Sequence, residues 1–308
     1  MKNSFFAGLL SLTIMISCQP DKQLTNYVNP LLGTATLWET KDLGYERHLK
    51  TRTWGAEVFP GSSVPNAMVQ LSPVTQFRSG AGYQYEDTVI YGFSHTNKGH
   101  WNLLHLPVLP VTGNVSSGDY ASTYSHSNES ARPGYYQVFL ERYGVNAELT
   151  STLRCAYHKY TFRPDDDKKV LVDITRTNNG VRDWSIQKVD DYTFSGNQDA
   201  EGNIRFYAVS NYKIEDIRQL KDGEHEVSVV SFADSKGSKP LELKIGFSFV
   251  SIDNAKMNLE QEMKDKSFVQ VRKEADKTWE NLLSKIEVTG GTEREKGIFY
   301  SCLYRSFL

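Results

Sequence analysis

The stretch Leu241-Glu242-Leu243-Lys244-Ile245-Gly246-Phe247-Ser248-Phe249 alternates large apolar residues with polar or small ones. A period of two puts Leu241, Leu243, Ile245, Phe247 and Phe249 on one face of an extended chain, so it predicts a strand with one side in a core. The alternation recurs at Tyr136 to Leu140, Ala147 to Tyr157, Ile204 to Ala208 and Val227 to Ser231, with turns at Arg132-Pro133-Gly134 and Asp222-Gly223. From Val28 to about Ser251 the pattern predicts a mainly β chain folded as an antiparallel β-sandwich. The period then changes. Ala255, Leu259 and Met263 recur every four residues, and Phe268, Val271, Ala275, Trp279, Leu282 and Ile286 every three or four, which predicts two amphipathic helices. Gly290-Gly291 interrupts, and Thr292-Glu293-Arg294-Glu295 reads as a capping box opening a third helix. That helix carries Ile298, Phe299, Cys302, Leu303 and Phe307 as an apolar stripe and reaches Leu308 without a C-cap signal. Such a stripe needs a partner. The expectation is a helical domain that this chain lacks; a helix docked back on the sandwich is the competing reading.

The chain has 308 residues, enough for about two domains and a sizeable core. Lys and Arg total 35 against 37 Asp and Glu, a formal charge of −2, so no large field is available to hold nucleic acid or anionic lipid. Only 22 Gly and 10 Pro accompany 39% hydrophobic residues, which fits a globular body. The 17 Tyr, 15 Phe and 5 Trp suit both a sandwich core and the stacking of sugars, and composition does not separate the two.

Residues 1–18 read as an address. Lys2 precedes an apolar run from Phe5 to Ile16 that is too short to span a bilayer. It ends Met15-Ile16-Ser17-Cys18, similar to the lipobox of bacterial lipoproteins although Met15 replaces the usual Leu. Acylation of Cys18 would anchor a secreted protein to a membrane in the periplasm or at the cell surface of a Gram-negative bacterium. Ordinary cleavage near Ser17 is the alternative. Cys155 and Cys302 are too few and too distant for a disulfide framework and are expected to be buried thiols.

Two segments are too particular for plain connections. Trp54 to Pro73 strings glycines and prolines among aromatics, Phe59-Pro60-Gly61 included, as a rigid loop lining a cleft would. Gly92 to Pro107 gathers His95, His100, Trp101, Asn102 and His105. His and Asn beside a Trp face suit a hexose pocket, because sugar C–H faces stack on aromatics and hydroxyls need paired donors. A structural histidine is the competing reading for any one of them. The five-residue spacing of His95, His100 and His105 fits no common metal-ligand pattern, and no Gly-x-Ser-x-Gly elbow occurs. Glu57, Glu86 and Asp87 are candidate carboxylates for glycosidase chemistry, but nothing in sequence pairs them, and Glu86-Asp87 reads more simply as a turn. Asp165-Asp166-Asp167-Lys168-Lys169 reads as a solvated loop without a role.

Several of these motifs come in the order seen in one family. Val28-Asn29-Pro30-Leu31-Leu32-Gly33-Thr34, Phe59-Pro60-Gly61, Met68-Val69-Gln70-Leu71-Ser72-Pro73, Gly82-Tyr83-Gln84-Tyr85 and Gly92-Phe93-Ser94-His95-Thr96 resemble family 92 glycoside hydrolases. Pro133-Gly134-Tyr135-Tyr136, Tyr143-Gly144-Val145, Ala147-Glu148-Leu149-Thr150, Asn254-Ala255-Lys256 and Ile298-Phe299-Tyr300 continue the match, which covers roughly Asn26 to Leu308. The resemblance implies calcium-dependent, exo-acting, inverting α-mannosidases with an N-terminal, supersandwich-like β-domain, a helical linker and an (α/α)₆ barrel. It implies a sugar pocket between the two domains, with the catalytic Glu and Asp and most calcium contacts on the barrel.

On this basis residues 26–251 are expected to form the sandwich, 252–286 the linker and 287–308 the start of a truncated catalytic domain. The expected substrate-binding residues are Phe59, Pro60, Gly61, His95, His100, Trp101 and Asn102. No catalytic residue or metal ligand is assigned to this chain. The expected partners are a mannose-containing glycan, the absent helical domain and a membrane, and not nucleic acid. Where many family members carry a Gly-rich stretch, this chain has Asn97-Lys98-Gly99-His100-Trp101-Asn102, so linkage preference is not carried over. A stand-alone glycan-binding module and a structural surface protein are the rival functions.

Overall fold

The computed structural model describes residues 23–36, 55–97, 102–222 and 225–308. The signal and lipobox expectations for residues 1–18, Cys18 among them, lie outside the described residues, as do His100 and Trp101. The body is a sandwich of two antiparallel sheets. One has six strands in the order Ser72–Val74, Gly92–Ser94, Val108–Val111, Lys169–Val172, His225–Phe232 and Ile214–Asp222. The other has eight, ordered Asp183–Lys188, Thr193–Ala200, Gly202–Ser210, Leu241–Ser248, Cys155–Thr161, Val145–Ser151, Tyr135–Leu140 and Glu129–Arg132. Phe93, Leu171 and Val230 from the first meet Tyr136, Leu149, Tyr160, Phe206 and Ile245 from the second in one continuous core. Phe93 bridges the layers, its ring 6.4 Å from Tyr136 and 6.3 Å from Tyr160.

The turns are placed as their residues demand. Arg132 pairs with Tyr135 around a two-residue Pro133-Gly134 turn, with Gly134 at φ 74°, a conformation that costs other residues strain. The run Ala147 to Tyr157 does not form one strand: Val145–Ser151 and Cys155–Thr161 pair with each other across a tight turn, Ser151 opposite Ala156. Phe249 lies past the end of its strand and is 43% exposed, not in the core. Gly246 on the supposed polar face is buried, because a helix covers that side; a Cβ there would lie 2.2 Å from the Ala255 carbonyl oxygen.

That helix, α1 (Ile252–Met263), is capped by Ser251 and buries Ala255, Asn258, Leu259 and Met263 against the eight-stranded sheet. Helix α2 (Phe268–Leu283) opens with a Ser267/Gln270 capping box and buries Phe268, Val271, Ala275, Trp279 and Leu283. It ends before Ile286, which is 48% exposed rather than part of the buried stripe. Helix α3 (Glu293–Arg305) starts at the Thr292/Glu295 capping box. It docks on α2 and on the segment before the sandwich: the Tyr304 ring lies 4.4 Å from Trp279, and Tyr300 and Tyr304 join Val28 and Leu283 in a separate cluster. Asn29 N–H donates to Ser301 Oγ at 2.9 Å, and Arg305 donates to the carbonyls of Phe59, at 2.8 Å, and Pro30. The Glu280 carboxylate accepts from the backbone N–H of Leu24 and Thr25, each at 3.0 Å. The docked face is thus the Tyr300–Tyr304 side. Of the expected stripe, Leu303 and Phe307 are half-buried, while Ile298, Phe299 and Cys302 are exposed. Cys302 is therefore not a buried thiol; Cys155 is, and burial raises its pKa.

Candidate functional site

A cleft of about 320 Å³ opens where three loops converge, lined by Gly33, Thr34, Gly55, Glu57, Val58 and residues from Gln76 to Gln84. Local chemistry fixes each wall. Ala56 N–H donates to Gly33 O at 2.8 Å and Tyr85 N–H to Thr34 O at 3.2 Å, tying the first loop to the other two. Thr75 N–H donates to Gly82 O, and Thr75 Oγ1 accepts from Gln84 N–H at 3.0 Å while donating to Asp87 at 2.7 Å. Asn178 clasps Ser79, its Oδ1 accepting from Ser79 N–H and its Nδ2 donating to Ser79 O at 2.6 Å. Glu57 and Arg78, both lining the cleft, sit at φ 52° and 55°, conformations a non-glycine residue adopts at a cost of about 1–3 kcal/mol and which cluster at functional sites. Gly80 lets the Glu57 carboxylate lie against the backbone, since a Cβ there would be 2.6 Å from Oε1.

Behind the Tyr83–Tyr85 wall lies a buried carboxylate. Glu129 accepts from Tyr83 at 3.0 and 3.1 Å and from Tyr136 at 2.6 Å, and His126 Nδ1 is 2.6 Å from its other oxygen. His126 Nε2 lies 2.6 Å from Tyr85 O, and the two rings stack at 3.9 Å. Burial, and then the Glu129 charge, push the Tyr83 and Tyr136 hydroxyls up, so both remain protonated donors.

The expected sugar-contact residues hold this frame from behind. Asn102 is fully buried; its backbone N–H donates to Gly80 O at 2.8 Å and its Nδ2 to Ala81 O at 2.6 Å, so it positions the cleft loop without reaching a ligand. Phe59 is 1% exposed, Pro60 and Gly61 are buried, and a Cβ on Gly61 would meet Leu71 O at 2.1 Å. Direct sugar contact by these four does not fit their burial. Neither does it fit His95, which is wholly buried with Nε2 2.9 Å from His158 Nε2, and His158 Nδ1 is 2.7 Å from the Tyr160 hydroxyl. Burial lowers His95 to about 3 and His158 well below the ordinary imidazole range, so both are neutral. They peg one sheet to the other.

Of the candidate carboxylates, only Glu57 lines the cleft. Glu86 accepts from Thr36 N–H at 2.9 Å; burial pushes its carboxyl up, but the Thr36 hydrogen bonds prevail and hold it below the usual range. Asp87 serves Thr75. Both are turn residues, as their sequence suggested. Lys168, expected in a solvated loop, is 1% exposed and donates to the carbonyls of Ser235 and, at 2.9 Å, Gly237. Arg78 and Gln84 were not named as site residues from sequence; the only signals were the place of Arg78 between the Gln70-Leu71-Ser72-Pro73 and Gly82-Tyr83-Gln84-Tyr85 motifs and the place of Gln84 within the second.

Residues 27–248 match the glycosyl hydrolase family 92 N-terminal domain, and residues 254–308 match the family 92 catalytic domain. The chain belongs to glycosyl hydrolase family 92. A family 92 α-mannosidase from Bacteroides thetaiotaomicron, solved in complex with mannoimidazole, is 27% identical with a TM-score of 0.81, over 93% of this chain and 40% of that one. An inverting family 92 mannosidase from the same organism shares the fold, at 24% identity and TM-score 0.80, over 94% of this chain and 40% of that one. An uncharacterized secreted glycosidase of Arthroderma benhamiae is 24% identical over 98% of this chain and 44% of its own length. The chain thus spans about two-fifths of the length of these relatives. Its mainly β, antiparallel architecture with three helices is that of the family's N-terminal sandwich and the start of its helical domain.

Proposed function

We propose that this chain supplies one wall of the mannose-binding cleft of a secreted, exo-acting, inverting α-mannosidase, and that it does not hydrolyse glycosides alone. The observation that carries this is the cleft itself: in a family 92 chain, two non-glycine residues held at positive φ, Glu57 and Arg78, converge on about 320 Å³ rimmed by Thr34, Gln76, Ser79 and Gln84. Amide, hydroxyl and guanidinium groups in a small cleft are what sugar hydroxyls require. Inverting hydrolysis needs an acid and a base held about 6.5–9.5 Å apart across the bond. Glu57 is the one carboxylate of the described cleft lining, and it cannot fill both roles.

The calcium that the family resemblance implies is assigned no ligand in this chain. Among the described residues no group of three or more His, Cys, Asp or Glu side chains could hold a metal, so no step of this proposal passes through it. Anchoring through an acylated Cys18 is part of the same proposal, and no helix among the described residues is long and apolar enough to cross a membrane. The exposed Ile286, Ile298 and Phe299 favour a helical domain as neighbour over a self-sufficient glycan-binding module, which would gain nothing from an uncovered apolar face.

The test is a titration of the isotope-labelled chain with mannose, followed by amide shifts, alongside an assay with an aryl α-mannoside. Shifts confined to the Gly33–Thr34, Glu57–Val58 and Gln76–Gln84 loops, lost in Arg78→Ala, with no hydrolysis, are expected. Turnover by the chain alone, or mannose bound elsewhere, would overturn the proposal.

A further inference from the structure

A second cleft, of about 450 Å³, lies on the far side of the Gln76-Phe77-Arg78 segment and shares Gln76 and Arg78 with the first. Its remaining lining is Thr75, Phe77, Tyr91, Thr175, Arg176, Thr177, Asn179 and Gly180, with no carboxylate among them. The dominant feature is Arg176. Its guanidinium lies 4.1 Å from the Phe77 ring centroid and 5.2 Å from that of Tyr91. Its Nη1 donates to the Tyr120 hydroxyl at 3.3 Å, and its Nε is 3.8 Å from the wholly buried carboxylate of Asp173. Asp173 in turn accepts from Tyr120 and lies 2.9 Å from His225 Nε2. The loop carrying Arg176 is closed by a bridge to Gly180 and locked to the first cleft by Asn178.

A guanidinium set over the Phe77 ring and beside Tyr91, which packs edge-on against Phe77, and braced by a buried acid loses little entropy on binding and presents its remaining N–H groups in a fixed fork. The Gln76 amide and the Arg78 guanidinium, shared with the first cleft, line it beside Arg176, whereas the hydroxyls of Thr175 and Thr177 are taken up by the backbone of Glu226 and Asn179. This is a surface for vicinal hydroxyls, and its volume falls in the range of small-ligand sites.

We infer that the second cleft is a distal saccharide subsite: a neutral glycan whose terminal unit occupies the first cleft continues across Arg78 and sets a further sugar ring against Arg176. The inference rests on the reading of the first cleft as the mannose site. It makes this chain a determinant of preference for longer glycans, with Arg176 as the specificity residue.

The experiment titrates the full chain with mannose, a linear α-linked mannobiose and a linear α-linked mannotriose, followed by amide shifts at millimolar ligand. The trisaccharide should bind about tenfold more tightly than mannose, equivalent to about 1.4 kcal/mol, and shift Thr175–Gly180 as well as the first cleft. Arg176→Met, which keeps the apolar stem, should abolish the gain and leave mannose binding unchanged. Because removing a partner of Asp173 could unsettle the fold, Gly180→Phe is the second variant: a Cβ at Gly180 meets nothing within 4 Å, so a bulky ring can enter the cleft from its rim. It should also erase the gain. If mannose binds in the first cleft and the trisaccharide binds no better, or the gain survives both variants, the subsite is wrong and the mannose site stands. If the gain appears only with a phosphorylated or uronic-acid trisaccharide, the subsite is an anion site and the inference for neutral glycans falls. If no saccharide binds, the reading of the first cleft fails and takes this one with it.

Discussion

Lowering the pH from 7 to 5 should weaken the sandwich through the His95–His158 pair. In the native state His95 is held at about 3 by burial, while in the unfolded chain it titrates near 6.5. Below 6.5 the unfolded state therefore binds a proton that the native state refuses, and stability falls as pH falls. The contribution is fully present above about 6.5 and is lost progressively toward 3. At pH 5, about 1.5 units into that window at about 1.36 kcal/mol per unit, the loss from His95 is about 2 kcal/mol. His158, displaced in the same direction by burial, adds to it with the same sign. Ordinary carboxylates titrate mostly below this interval, so urea denaturation at pH 7, 6 and 5 isolates the imidazoles. The His95→Gln/His158→Gln double variant should start less stable yet show a slope flatter by at least about 2 kcal/mol over the interval, while every other histidine remains in place. An unchanged slope in the variant would refute the claim that this pair is buried neutral.

Trp279→Ala should cost about 3–5 kcal/mol, because the indole is fully buried and its Nε1 donates to Ser63 O at 2.7 Å; denaturant midpoints measure the loss, and limited proteolysis after Leu283 should accelerate as α3 loses its seat. Gly61→Ala should prevent accumulation of folded protein or destabilise it by more than about 3 kcal/mol, since the added Cβ would lie 2.1 Å from Leu71 O and 2.4 Å from Ser72 Cα, backbone that cannot step aside. Gly180→Ala, where a Cβ enters open space, should stay within about 0.5 kcal/mol of the parent in the same assay.

Periodicity read the architecture well because burial in this chain is one-sided over most elements. Leu241, Leu243, Ile245 and Phe247 alternate because one face of their strand meets the other sheet, and the capping box read at Thr292 marks a helix start because the Thr292 and Glu295 side chains satisfy backbone N–H groups there; the Ser267/Gln270 box does the same for α2 and was not read from the sequence. It misread positions where a second layer intrudes or an element ends early. Gly246 is buried by α1, Phe249 falls beyond the strand, and Ile286 falls beyond α2. On α3 two faces are apolar, and counting residues could not tell that Tyr300 and Tyr304, with ring area and hydroxyls to place, would win the docked side. The cleft was less legible still. Its lining comes from residues 33–34, 55–58 and 76–84, brought together by backbone bonds such as Ala56 N–H to Gly33 O and Tyr85 N–H to Thr34 O, and braced by Asn178 on Ser79, ninety-nine positions away.

The motifs that carry the family resemblance mostly turn out to be scaffolding. Gly61 lies close against the backbone of Leu71–Ser72 and Phe59 offers its carbonyl to Arg305; His95 pegs the sheets; and Asn102, outside those motifs, holds Gly80 and Ala81. Each is polar or conformationally special for a reason internal to the chain, so their burial removes them from any list of sugar contacts without weakening the fold assignment they support. What they support spatially is the cleft. Phe59 follows Glu57 and Val58, Asn102 sets the loop that ends at Gly82, and the Arg305 bond to Phe59 O ties that strand-free segment to α3. Glu57 and Arg78 hold positive φ in front of this frame, a conformation that persists only where the surrounding structure over-determines it. The residues expected to touch sugar therefore build the frame, and the space a ligand would fill is faced by Gly33, Thr34, Tyr83 and Gln84 of the resemblance motifs together with Glu57 and Arg78, which lie outside them.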